Sequence, residues 1–121
     1  MNIVEDFLGP VISTYTRAQA LKDGVLVDVS PAAKEAGFVW PVAVTSSLFR
    51  IINTFPKDSG QDLHGRLWDV LMVLRFSYKK GGNFKVRFSD GKDYSTESLY
   101  AVAGPGDNGE PVITIMREGE D

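Results

Sequence analysis

Residues 63–88 read LHGRLWDVLMVLRFSYKKGGNFKVRF, and the hydrophobic period changes inside that stretch. Leu63, Leu67, Val70, Leu71, Leu74 and Tyr78 recur at spacings of three and four. That spacing predicts an amphipathic helix from about Ser59 to about Tyr78. Lys79-Lys80-Gly81-Gly82 closes it, placing cations and flexible glycines at the negative helix end. Beyond the glycines the period falls to two. Phe84, Val86 and Phe88 face one way, and Lys85 and Arg87 the other. A long helix followed by an alternating strand sets the fold class as α+β.

Working forward, Asp90-Gly91 is a hairpin-type turn signal. Leu99–Ala103 and Pro111–Met116 read as two further strands, joined across Gly104-Pro105-Gly106-Asp107-Asn108-Gly109-Glu110 as a hairpin. Working back, Thr16-Arg17-Ala18-Gln19 is a capping box, Gly24 a helix stop, and Val25–Val29 a β-branched strand. Ser30-Pro31 opens a second short helix that Gly37 ends. Thr45 caps a third, which carries Leu48, Ile51, Ile52 and Phe55. The expected architecture is α+β: short N-terminal helices, one longer central helix, and a C-terminal antiparallel sheet of three to four strands. The 121 residues fit a single domain, with residues 1–14 and the acidic tail 118–121 expected to be its flexible parts.

Composition narrows the chemistry. The chain has no cysteine, which excludes disulfides, thiolate metal sites and a cysteine nucleophile. Glu5 and Asp6 stand where a signal peptide needs basic residues, and no apolar run is long enough to span a membrane, so a cytoplasmic location is expected. The net charge is −3, yet residues 75–92 carry six cations and one acid. That segment is therefore +5 and the remainder −8.

Gly104–Gly109 matches GxGxxG in letters. A dinucleotide loop must open onto a helix, and this one opens onto a strand, so a structural hairpin is the better reading. His64 is the only histidine and has no carboxylate at metal-ligand spacing. No GxSxG accompanies it, and no catalytic residue, metal or cofactor is assigned. An enzyme working through carboxylates near His64 would need a concave site holding His64 and at least two acids. Asp62, Arg66 and Asp69 read as a polar stripe in which Arg66 pairs with both acids. Trp40 and Trp68 suit either a core or an interface.

Two surfaces stand out. Trp68, Met72 and Phe76 widen the apolar face of the central helix, and Trp68, Met72 and Val73 are its candidate interface with a protein partner or a second copy. Arg75, Lys79, Lys80, Lys85 and Arg87, interleaved with aromatics, are the candidate surface for nucleic acid or another partner. That second reading requires the five cations to share one face.

Three stretches together carry a resemblance: Tyr15–Val29 (YTRAQALKDGVLVDV), Gly65–Leu71 (GRLWDVL) and Gly104–Met116 (GPGDNGEPVITIM). Their order and wording resemble a family of small uncharacterised bacterial proteins, a domain of unknown function met in plasmids, phages and other mobile elements. The resemblance implies an accessory protein of mobile DNA that works by binding. It assigns no activity, cofactor or catalytic residue.

Overall fold

The structure is a computed structural model that describes residues 15–77 and 82–120. The elements run α1 (Arg17–Lys22), β1 (Leu26–Asp28), α2 (Ser30–Glu35), β2 (Val42–Thr45), α3 (Ser46–Ile52), α4 (Leu63–Ser77), β3 (Asn83–Ser89), β4 (Tyr94–Pro105) and β5 (Pro111–Arg117). The fold is α+β, with four helices and one five-stranded sheet among the described residues.

The sheet is larger than the sequence suggests, and it is mixed. Its order is β1-β2-β5-β4-β3. β3, β4 and β5 form the expected antiparallel meander. β2 extends it by pairing parallel to β5, and β1 adds antiparallel to β2. The sequence reading missed β2, and its burial gives the reason. Val42, Ala43 and Val44 are all buried, so the run is apolar on both faces and shows no alternation.

Helices cover both sides of this sheet. Val42, Val44, Ile113 and Ile115 join Phe84, Val86 and Phe88 on one face, where Leu48 and Ile52 of α3 and Leu67, Val70, Leu71 and Leu74 of α4 pack. Ala33 and Ala36 bring α2 into the same core. On the other face α1 packs beside β1 and reaches β5 through Arg17. The Arg17 guanidinium donates to the Thr114 hydroxyl at 2.7 Å and to the Ile113 carbonyl at 3.0 Å. Burial lowers the Arg17 pKa, opposed by Asp107, Asp28 and Glu110.

Local signals explain the helix starts. Thr16 accepts from the Gln19 amide while the Gln19 side chain accepts from the Thr16 amide, as the capping box predicts. Thr45 caps α3 through the Leu48 amide. Asp62 caps α4, its Oδ1 accepting from Gly65 N at 2.6 Å. Ser30 behaves differently from a simple cap: its hydroxyl donates to Asp28 at 2.6 Å and accepts from Val42 N at 3.0 Å. It thereby joins the start of α2 to β2. The tail turns back onto α3, where Glu120 accepts from the hydroxyls of Thr45 and Ser47.

The β4–β5 loop is the hairpin that the sequence reading favours over a dinucleotide site. Its Asp107 carboxylate accepts from the amides of Arg17 and Ala18, at 2.8 and 3.0 Å. These are the first amides of α1, so an acid from the far end of the chain caps that helix.

Arg66 overturns an expectation. It is 5% exposed and does not pair with Asp62 or Asp69. Its Nη1 donates to the carbonyls of Ile51 at 3.1 Å and Thr54 at 2.9 Å, and its Nη2 to that of Ser89 at 2.8 Å. The guanidinium sits 5.2 Å from the Phe55 ring centre and 4.9 Å from that of Phe88. A cation at the C-terminal end of α3 is favourable to the helix dipole. Burial lowers its pKa and the charge of Asp90 opposes that shift.

Candidate functional surfaces

The outward face of α4 follows from helix geometry. At 100° per residue, Trp68, Met72 and Phe76 fall in line on the side opposite Leu63, Val70 and Leu74. Trp68, Met72 and Val73 are half-buried and pack against the margin of the core. Phe76 extends the line into solvent and is 79% exposed. Val39 and Trp40, in the loop before β2, are also exposed, at 92% and 42%. Neither tryptophan is therefore a deep core residue.

A shallow groove of about 630 Å³ lies at the N-terminal end of this face, lined by Glu35, Asp62, His64, Trp68 and Asp69 among others. His64 does meet acids there. Its Nε2 lies 3.9 Å from Glu35 Oε2, with both side chains mostly exposed. That distance exceeds a hydrogen bond, so the two form a loose ion pair when His64 is protonated. Asp62 is engaged in capping the helix. Burial pushes the Asp69 carboxyl above its ordinary pKa. Among the described residues no three His, Asp or Glu side chains converge as a metal requires. Chemically the groove offers carboxylates beside an indole, which suits a cationic group.

The basic residues divide between the two sides of the sheet. Arg75 is on α4, on the helical side, and donates to the Ala36 carbonyl at 2.6 Å. Gly37, at φ +97°, leaves the space that the Arg75 guanidinium fills. Lys85 and Arg87 are exposed on the face opposite the buried Phe84, Val86 and Phe88. Lys79 and Lys80 lie outside the described residues. The structure thus brings together only Lys85 and Arg87 of the described cations. It adds an aromatic that the sequence reading did not single out. The Arg87 guanidinium stacks over Tyr94, 4.4 Å from its ring centre. The signal for it was the register: Ser89 pairs with Tyr94, so Arg87 and Tyr94 share a face diagonally.

These features define an α+β domain whose sheet carries helices on both faces, and in which no described helix is long and apolar enough to cross a membrane. The chain belongs to the family of unknown function DUF6573, which matches residues 4–121. The match assigns no activity and says nothing of plasmids or phages. Neither the curated proteins nor the solved structures yield a match.

Proposed function

We propose that this protein is a non-enzymatic binding module that acts through protein–protein contact at the outward face of α4. The observation that carries the reading is the line of Trp68, Met72 and Phe76 on that face, ending in a phenylalanine that is 79% exposed. An exposed phenyl ring in line with a half-buried thioether and indole suits a docking surface. The acids Glu35 and Asp69 at one end of the line favour a partner that presents cations beside apolar side chains. The partner class is thus an amphipathic basic segment. The mobile-element context implied by the sequence resemblance belongs to this proposal, as does a cytoplasmic site of action.

The test is recovery of partners from the native host by tagged protein, with and without nuclease. The double variant Met72→Glu/Phe76→Glu is run beside the wild type. A partner that survives nuclease and is lost on the variant supports the reading. Partners retained equally by the variant, or recovered only while nucleic acid is intact, refute it.

The alternative is nucleic-acid binding through the basic segment. Its specific support is the Arg87–Tyr94 stack beside Lys85. It requires affinity that falls steeply with salt.

A further inference from the structure

The outer strand of the sheet, β3, offers a second surface, and its hydrogen-bond parity can be worked out. Ala101 N donates to Gly82 O at 2.8 Å, and Asp90 N to Asp93 O at 3.0 Å. Both pairs fit the single β3–β4 register, in which Phe84 faces Leu99 and Val86 faces Glu97. Antiparallel strands alternate residues that bond across the ladder with residues whose N–H and C=O point away. Even-numbered residues of β3 therefore bond to β4. The backbone groups of Asn83, Lys85, Arg87 and Ser89 point to the outer edge. Ser89 obeys this rule: its carbonyl is turned outward and accepts from Arg66. No described residue takes the N–H or C=O of Lys85 or Arg87.

We infer that the Lys85–Arg87 edge of β3 accepts an extended acidic segment of a partner protein as a sixth strand. The edge supplies main-chain donors and acceptors in alternation, which a peptide strand matches and a phosphate backbone does not. The side chains choose among peptides. Lys85 and Arg87 project from the same edge on the exposed face, with Arg87 held against Tyr94. Cations on an edge strand repel a basic or identical strand. A second copy pairing β3 against β3 would bring these same cations together, so self-association is opposed. An acidic strand places its carboxylates beside them. This surface is independent of the α4 face, and either can fail without the other.

The experiment uses the full chain, isotope-labelled for amide hydrogen exchange by NMR, and three ten-residue probes. The probes are an alternating Glu/Val peptide, an alternating Lys/Val peptide and single-stranded oligothymidylate. In the unbound protein the Lys85 and Arg87 amides should exchange roughly tenfold or more faster than those of Val86 and Phe88. The Glu/Val peptide should slow the fast pair roughly tenfold, and the Lys/Val peptide should leave them unchanged. Lys85→Pro removes only an outward N–H and is tolerated on an edge, so it should weaken Glu/Val binding roughly tenfold with the fold intact. If that variant does not fold, Lys85→Glu/Arg87→Glu replaces it and should reverse the preference to the Lys/Val peptide. Slow Lys85 and Arg87 amides in the unbound protein would overturn the inference. So would equal slowing by both peptides, or undiminished Glu/Val binding by Lys85→Pro. Oligothymidylate that binds tighter than the Glu/Val peptide and displaces it would reassign the surface to nucleic acid.

Discussion

Replacing Arg66 should destabilise the fold more than replacing any other cation described here. Three carbonyls, those of Ile51, Thr54 and Ser89, lie 2.8–3.1 Å from its terminal nitrogens. They belong to the end of α3, the loop after it, and the end of β3. Arg66→Met retains an apolar stem between Phe55 and Phe88 but leaves the Thr54 and Ser89 carbonyls without the guanidinium donor, while the Ile51 carbonyl keeps a backbone amide. A hydrogen bond to a charged group contributes about 1.5–3 kcal/mol, and a buried acceptor left alone costs about 1–3 kcal/mol. Against this stands the relief of desolvating a buried charge, which is several kcal/mol. The balance for Arg66→Met is a loss of about 2–4 kcal/mol, a large part of the ~5–15 kcal/mol that holds a typical domain together. Arg66→Lys should cost nearly as much, because an ammonium has no planar fork to reach both nitrogens' partners. Arg75→Ala is the control. It removes one bond at an exposed site and should cost about 1 kcal/mol or less. Urea denaturation followed by far-UV circular dichroism reads all three, with the m-value required to stay constant. If Arg66→Met lies within about 1 kcal/mol of wild type, or matches Arg75→Ala, the clamp described for Arg66 does not hold.

Two further outcomes follow from acids that the fold has engaged. Asp107→Ala should destabilise by about 1 kcal/mol by removing the acceptor of the first α1 amides, and amide exchange in residues 17–20 should quicken before that in β4. Unchanged exchange in α1 would show that the loop does not cap it. Partial burial raises the Glu120 pKa, but hydrogen bonds from Ser47, the Arg117 amide and Thr45 outweigh it and hold the carboxyl below its ordinary value. A depressed folded pKa contributes stability above that value and loses it as pH falls through the folded pKa. Glu120→Gln should therefore be less stable than wild type near neutrality, with the gap closing in acid. A constant gap in urea midpoints from about pH 6 to about pH 3 would refute the linkage.

Local rules made much of this chain legible. The capping box at Thr16 and Gln19, the Thr45 cap, the apolar stripe of α4 and the alternation of β3 all depend on residues within one or two turns of each other. What escaped depends on distant residues. β2 reveals itself only once β1 and β5 are known to flank it in the sheet and α2 and α3 to pack against it. Arg66 has Asp62 and Asp69 at pairing distance along its own helix, so a surface ladder was the natural reading. Its real acceptors lie 12 to 23 residues away in sequence. The division of the basic surface was legible in principle. If Phe84, Val86 and Phe88 face α4, then Lys85 and Arg87 face away from it and cannot share a surface with Arg75.

The same division argues where function resides. Several charged groups already have structural partners. The guanidinium groups of Arg17, Arg66 and Arg75 donate to backbone carbonyls, Asp107 and Asp62 cap helices, and Glu120 fastens the tail to α3. Substituting them would report on folding before it reported on binding. Phe76, Lys85 and Arg87 differ. Phe76 is mostly exposed on a helix whose opposite side is buried, and the backbone edge of Lys85 and Arg87 has no described hydrogen-bond partner. An exposed side chain outside such networks usually shifts stability by no more than about 0.5 kcal/mol when replaced. Variants at these three positions can therefore separate loss of binding from loss of fold. The two proposed contacts fall on different elements, the acidic-apolar outward face of α4 and the cationic edge of β3, so that one molecule could engage both kinds of partner.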